Sequence, residues 1–356
     1  MAKVLAGLSG GVDSAVAAYL LQQAGHEVSG VTLRTWVSED GTESRCCEID
    51  DARKTAWKLH IPYYALNCIS EFQRSVIDPF VRDYLGGITP NPCVFCNREI
   101  KWEKLLYAAK VMKADYVATG HYAFIVRKPN GRYTVKKARH AEKDQTYMLY
   151  RLSQEQLAAT VMPLGDLTKD QVREIAAQAG LPSAAKPDSQ ELCFVPDGNY
   201  AEYIEKQAGA KVPGEGLFVD GEGNILGKHR GIIHYTVGQR KGLGLSLGYP
   251  AYIREIRADR NEIVVGDEAS LYSKELCCGS LNFLSIPTPK AGEKIPCAVK
   301  VRYHHGAQAA CLEMLDADRA KITFGGPVRA AAPGQSAVFY DEEDCVIGGG
   351  IILPKR

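Results

Sequence analysis

The chain has 356 residues, 46% of them hydrophobic and 24% charged, with a formal net charge of +1. That is the balance of an ordinary globular protein of about two or three domains with ample core. No global basicity announces a nucleic-acid binder, so any polyanion has to meet a local patch. No stretch approaches the roughly 20 apolar residues of a membrane span, and Val4–Leu8 is too short for a signal peptide, so the cytoplasm is the expected compartment.

In chain order, Val4–Leu8 reads as a short apolar strand that runs through Ser9-Gly10-Gly11-Val12-Asp13-Ser14 into a helix, Ser14–Ala24. The glycines admit positive φ and a close approach of backbone to a ligand. The serines and the free N–H groups of the helix start favour an anion there. The loop lacks the Gly-Lys-[Ser/Thr] ending of a Walker loop and the glycine spacing of a dinucleotide fingerprint. Asp13 suits either a magnesium ion beside phosphates or simply the positive end of the helix. Strands at Val28–Leu33, Tyr63–Asn67 and Asp115–Thr119 alternate with helices at Asp50–Leu59, Phe72–Tyr84 (with Pro79 a potential kink) and Arg98–Met112. Such alternation predicts a parallel sheet covered by helices on both faces. Ligands of such sheets bind beyond the carboxyl ends of the strands. Ser9, the Leu33–Trp36 strand end and Thr119-Gly120-His121 should therefore converge on one crevice.

Further along, 123–138 reads as a hairpin turning at Asn130-Gly131, followed by helices at Ser153–Thr160 and Lys169–Gly180. From about Gly198 the chain shifts to glycine and short β segments, with a turn at Asp220–Asn224 and a glycine-rich basic stretch, Gly227–Leu247. Short strands from Leu276 onward, among them Cys297–Tyr303, Lys321–Phe324 and Ala337–Tyr340, suggest a small barrel or sandwich.

Eleven cysteines in a reducing compartment are not expected to form a disulfide framework, and most suit buried apolar positions. Cys93, Cys96 and Cys193 differ, because they stand in polar, proline-broken stretches. Two prolines precede Cys96, and Asn97 suits an N-cap, which predicts that Cys96 lies just before a helix where the dipole favours thiolate. A structural pair remains open, although a zinc site needs about four ligands and no second Cys-x-x-Cys follows. Cys46 and Cys47, in another loop, read as structural or incidental to redox chemistry.

Six strings in order carry a specific resemblance: Gly7–Ser14, Thr119-Gly120-His121-Tyr122, Lys143-Asp144-Gln145, Asp188–Phe194, Gly238–Leu243 and Arg302-Tyr303. The first is similar to the PP-loop of ATP pyrophosphatases, and together they resemble the bacterial tRNA-specific 2-thiouridylases over essentially the whole chain. The resemblance implies an α/β fold. A parallel, doubly wound PP-loop domain (1–200) of the adenine nucleotide alpha hydrolase-like kind would be followed by a small central β-rich domain (201–270) and a C-terminal β-barrel (271–356).

It implies an ATP-dependent sulfurtransferase that adenylates the 2-carbonyl of a tRNA wobble uridine and replaces its oxygen with sulfur. Gly7, Leu8, Ser9, Gly10, Gly11, Val12, Asp13 and Ser14 would hold ATP and Mg2+, with Leu33 and Gly120 at base and ribose. Cys193 would carry a persulfide, delivered by a cysteine desulfurase or relay protein, and Cys96 would release the sulfur through a transient disulfide. Asn91, Pro92 and Cys93 would surround the target base. His121, Lys143, Asp144, Gln145, Arg302, Tyr303 and Gln335 would contact tRNA. Many family members have aspartate where this chain has Cys93, which leaves a second route open: a [4Fe-4S] cluster on Cys93, Cys96 and Cys193. The loop by itself also fits a ligase making an amide on a small metabolite, or a nucleotide-regulated RNA-binding protein without turnover.

Overall fold

Val4, Leu5 and Ala6 are all buried in the first strand, β1 (Lys3–Gly7), the unbroken apolar run of a strand covered on both faces. In the computed structural model, which describes residues 1–38, 48–187, 192–195 and 197–355, β1 leads into α1 (Val12–Gln23), β2 (Glu27–Arg34), α2 (Ile49–Lys58) and β3 (Tyr63–Asn67). Two long helical runs follow. The first joins α3 (Ile69–Phe72), a π-helical turn Gln73–Ile77 and α4 (Asp78–Leu85); the second joins α5 (Pro92–Phe95), a π-helical stretch Cys96–Trp102 and α6 (Glu103–Met112). Then come β4 (Tyr116–Ala118), the hairpin of β5 (Ala123–Arg127) and β6 (Tyr133–Lys137), α7 (Gln154–Ala158), β7 (Thr160–Val161) and α8 (Lys169–Gln178).

The sheet is parallel, in the order β3-β2-β1-β4-β7. The chain leaves β1 toward β2 on one side and returns to β4 on the other, so the order reverses between β1 and β4. That is the switch point where an open α/β sheet binds ligands beyond its strand ends. The loops after β1 and β4 both emerge there, as the alternation predicts.

Two helices differ from the sequence reading. The expected kink at Pro79 is instead a widened turn: Gln73–Ile77 is π-helical and runs directly into α4, so Pro79 lies inside a continuous helical run just after the widened turn. The helix expected from Arg98 begins at Pro92, because a proline at the first helical position is preorganised for helix. Asn97 is therefore not an N-cap. It is buried, and its Nδ2 donates to the Met148 carbonyl at 3.0 Å.

The central region starts with a helix that the glycine-rich composition hides, α9 (Tyr200–Ala208), capped by Asn199 accepting from the Glu202 N–H at 3.3 Å. Strands β8 (Gly216–Val219), β9 (Ile225–His229), β10 (Tyr252–Arg257) and β11 (Glu262–Gly266) form a sheet in the order β10-β11-β8-β9. The final region is a closed antiparallel barrel of β12 (Tyr272–Phe283), β13 (Lys294–Lys300), β14 (Gln308–Met314), β15 (Ala320–Arg329), β16 (Ser336–Tyr340) and β17 (Val346–Ile352), ordered β12-β15-β14-β13-β16-β17. Closure removes the unpaired edges that an open sandwich would leave. The strand expected to reach Tyr303 stops at Lys300, so Arg302 and Tyr303 lie in the connection after β13 rather than on a strand.

The three regions share cores. Tyr147, Leu149 and Tyr150 pack with Val338, Tyr340 and Leu284 of the barrel. The 69–85 and 92–112 helical runs pack through Phe72, Phe80 and Ile100 on Phe218, Ile253 and Ile263 of the central sheet. Each fully buried large apolar side chain contributes about 1.5–3 kcal/mol, so these seams hold the regions together. No helix among the described residues is long and apolar enough to cross a membrane.

Candidate active site

The loop after β1 is braced by its own serines. The Ser9 N–H donates to Ser14 Oγ at 3.1 Å, the Gly11 N–H to Ser9 Oγ at 3.3 Å, and Ser14 Oγ to the Gly11 carbonyl at 3.0 Å. Gly10 takes φ +82°, and a Cβ there would lie 2.9 Å from the Glu48 carbonyl oxygen. Helix α1 starts at Val12 with no side-chain cap, which leaves its N-terminal donors and positive dipole end directed at the crevice. From the other side of the switch point, Gly120 lies against the backbone of Asp13 and Ser14; an added Cβ would sit 2.6 Å from the Asp13 carbonyl carbon and 2.7 Å from the Ser14 nitrogen. Only glycine lets the two loops meet this closely.

Together these loops form one end of a cleft of about 990 Å³. Its walls include Gly7, Leu8, Ser9, Gly11, Val12, Asp13, Ser14, Leu33 and Gly120 of the residues expected to hold a nucleotide. The same cavity extends past Asn91 and Cys93 to His121, Lys143, Gln145 and Tyr303. Phosphate loop, cysteine helix and barrel connection thus face a single space. Lys101, Lys143, Lys169 and Lys186 also border it, together with the carboxylates of Asp13, Glu48 and Glu142. The sequence places Lys101 near the cysteine pair, where it adds positive potential, but does not announce Lys169, Lys186 or Glu48 at the cleft. Lys169 offered a signal: it is a cation at the first position of a helix, where acidic residues are favoured.

The cysteines occupy different depths. Cys93 is exposed and lines the cleft. Cys96 is not ahead of a helix but inside one, a turn beyond Pro92, and is 7% exposed; the dipole argument for its thiolate therefore fails, and the first helical turn belongs to Cys93. Cys193 is half-buried and packs against the same apolar cluster as Cys96, Ile100, Phe194 and Val195. Phe194 anchors this segment, edge-on to Phe72 at 5.7 Å and to Phe80 at 5.2 Å between ring centroids. Neither Cys96 nor Cys193 lines the cleft, while their neighbours Leu192 and Val195 do. Cys46, Cys47 and Asp188–Glu191 lie outside the described residues.

Several residues expected at RNA turn inward instead. Asp144 is buried and accepts from the Thr146 hydroxyl at 2.8 Å and from the N–H groups of Thr146 and Ala138, each at 3.3 Å. It fixes the Lys143–Gln145 turn and presents nothing to a ligand. Gln145 accepts from the Tyr122 N–H at 2.9 Å while bordering the cleft. Arg302 donates to the Val237 carbonyl at 3.2 Å and to the Ala330 carbonyl, tying the central region to the barrel. Gln335 donates to the carbonyls of Thr89 at 2.9 Å and Pro90 at 3.4 Å, so the barrel holds the segment that leads into Pro92 and Cys93. Arg302→Ala should consequently lower the melting temperature of the whole chain, with tRNA affinity falling only as the fold loosens. A variant with wild-type melting and weakened tRNA binding would restore Arg302 to the RNA surface.

His121 stacks near Trp102, with ring centroids 5.2 Å apart, and its Nδ1 lies 2.9 Å from the Thr119 hydroxyl. Burial, reinforced by the Lys101 charge, pushes it down to about 3, so the ring is neutral at working pH. The unfolded chain takes up this proton near the ordinary 6.5 and the folded chain only near 3. Acidification through that window therefore removes stability. His121→Gln should flatten the decline, as denaturant unfolding at pH 7 and pH 5 would report.

Comparison with known proteins completes the picture. Residues 2–197 match the family model described as "tRNA methyl transferase HUP domain", 201–267 the associated "PRC-barrel domain" and 273–352 an "Aminomethyltransferase beta-barrel domain". The chain is 50% identical over 361 residues, 99% of its length and 100% of the relative's, to the tRNA-specific 2-thiouridylase MnmA of Lachnoclostridium phytofermentans. The proteins of the same name from Acetivibrio thermocellus (50% identity, 98% of this chain and 99% of the relative) and Clostridioides difficile (48%, 98% of each) are similar throughout. The chain belongs to the tRNA-specific 2-thiouridylase family. The three matched segments follow the parallel sheet, the α9–β11 region and the closed barrel in turn. The "methyl transferase" of the domain description is not the activity in the names of these thiouridylase relatives.

Proposed function

We propose that the chain forms 2-thiouridine in tRNA by ATP-dependent sulfur transfer, and that cysteine persulfide chemistry supplies the sulfur. The observation that carries this reading is the cleft in which the phosphate loop faces Cys93, with Cys96 and Cys193 in the apolar cluster next to its wall residues Leu192 and Val195. ATP fits the loop: its phosphates meet the start of α1 and the Ser9–Ser14 turn, and the gap beside Gly120 leaves no room for a side chain. The donor set beside the loop, Asp13 and Glu48, consists of hard carboxylate oxygens that suit magnesium, which when bound would offset phosphate charge.

The wobble uridine's O2 attacks the α-phosphorus, pyrophosphate leaves, and C2 then carries AMP as a leaving group. The terminal sulfur of a Cys193 persulfide attacks C2 and AMP departs, leaving Cys193 bonded through sulfur to the base. The Cys96 thiolate attacks Cys193 Sγ; the bond to the transferred sulfur breaks, its electron pair stays on the thiouridine, and a Cys96–Cys193 disulfide forms. An external dithiol restores both thiols. Cys96 and Cys193 pack into the same apolar cluster, which supports this pairing. Exposed Cys93, with Asn91 and Tyr303, lines the space for the base, and Lys143 offers a contact to the backbone.

The test is nucleoside mass analysis of bulk tRNA from a deletion strain. Loss of 2-thiouridine derivatives, restored by the wild-type chain, is expected; unchanged tRNA would sink the reading. Binding to tRNA should also weaken steeply with salt, because phosphate contacts release counterions. Lys143→Ala should weaken it by about 1–2 kcal/mol, the scale of a charge-assisted contact, and lower the salt slope. Filter binding at two salt concentrations would show either result.

A further inference from the structure

We propose that Lys169 is a phosphate-binding residue of the adenylation step, stored on Asp13 until nucleotide arrives; its ammonium then passes to the triphosphate and frees the Asp13 carboxylate for magnesium. This rests on the reading of the cleft as an ATP site.

Helix stability does not explain Lys169. It is the first residue of α8, where the helix dipole disfavours a cation. A reciprocal cap already meets two of the donors there, the Gln171 N–H on Thr168 Oγ1 at 3.1 Å and the Thr168 N–H on Gln171 Oε1 at 2.8 Å. The side chain turns inward instead, only 12% exposed, and its Nζ lies 2.7 and 2.8 Å from the two carboxylate oxygens of Asp13. The Tyr122 hydroxyl donates to the same Asp13 Oδ1 at 2.7 Å. Both Lys169 and Asp13 border the cleft.

A carboxylate beside an anion cradle repels phosphate unless it is neutralised. Here the neutralising cation is carried on a four-carbon stem of rotatable bonds and lies within the same cavity. When the polyanion enters, the ammonium exchanges one oxyanion for another, so it is never left in a half-buried site without a partner. The released carboxylate faces the phosphates, which is where a hard divalent ion would sit. Lys186 repeats the arrangement across the loop: its Nζ pairs with Glu48 and, at 2.7 Å, with Asp51, and lies 3.5 Å from the Gly10 carbonyl.

The test is equilibrium binding of ATP to the full chain by calorimetry, with and without magnesium. The proteins are wild type, Lys169→Gln, Lys169→Arg, Asp13→Asn and the Asp13→Asn/Lys169→Gln double variant. Wild type should bind magnesium–ATP, and Lys169→Gln should bind it about 10- to 100-fold more weakly, the scale of a charge-assisted contact. Lys169→Arg should keep most of the affinity. Asp13→Asn should bind magnesium-free ATP more tightly than wild type and gain little from added magnesium. If Lys169 serves only to neutralise Asp13, the double variant returns to wild-type affinity, and that result overturns the proposal. So does an Asp13→Asn variant whose magnesium-free affinity is unchanged, which decides the matter even if Lys169→Gln fails to fold. A wild-type chain that binds no ATP overturns the ATP reading itself, a different outcome from any of these.

Discussion

Ser9→Ala and Asp13→Ala variants should lose ATP–pyrophosphate exchange by on the order of 100-fold or more, while tRNA binding stays near wild type. The Ser9 hydroxyl accepts from the Gly11 N–H and meets Ser14 Oγ at 3.1 Å, so its loss releases the turn that aims the backbone donors. Removing one preorganised donor at a site of developing charge costs about 2.7–4 kcal/mol in well-studied cases. Asp13→Ala leaves Lys169 and Tyr122 without their shared carboxylate and removes a hard oxygen from the loop. Gly120→Ala acts by volume alone: a methyl 2.6 Å from the Asp13 backbone must push the start of α1 away from β4. It should therefore fail in exchange without any change of charge. The tRNA-facing part of the cleft, near Lys143 and Tyr303, is built from other elements and should be spared. Near-normal exchange in Ser9→Ala and Asp13→Ala would remove the loop from the mechanism.

That the loop was legible in the sequence has a physical reason. Its geometry depends on neighbours in the chain: two glycines, two serines five positions apart, and the helix they open. The hairpin at Asn130-Gly131 and the helix opening at Lys169 are local in the same sense. What was lost is non-local. β7 is two residues long and exists only because Thr160–Val161 pairs with β4. The position of Cys96 turned on whether Pro92 ends structure or begins it, and proline does either. Gln335 and Thr89 are 246 residues apart, so no pattern announces that the barrel grips the cysteine segment. The resemblance puts Arg302 at tRNA, yet its partners are backbone carbonyls of Val237 and Ala330, which only the fold brings to it.

Cys193→Ser and Cys96→Ser should each stop thiolation while leaving ATP–pyrophosphate exchange intact, because one carries the sulfur and the other releases it. The two losses should differ in what accumulates. With Cys96 gone, sulfur remains bonded between Cys193 and the base, and denaturing gels should trap a protein–tRNA adduct that a thiol reductant cleaves. With Cys193 gone, no adduct forms. Cys93→Asp separates this relay from an iron–sulfur route. Cys93 is exposed on the cleft wall, whereas Cys96 lies within the apolar core, so the relay asks nothing of Cys93 as a sulfur carrier. Aspartate there keeps a small polar wall and adds a candidate base, so the variant should retain activity or gain it. A cluster would need Cys93 as a soft thiolate ligand, and aspartate would weaken iron retention and activity together. Anaerobic reconstitution with iron and sulfide, followed by thiolation assays on wild type and Cys93→Asp, decides between them. The wild type is expected to work with a persulfide donor and no iron. Strict iron dependence that disappears in Cys93→Asp would make Cys93, Cys96 and Cys193 metal ligands and end the relay.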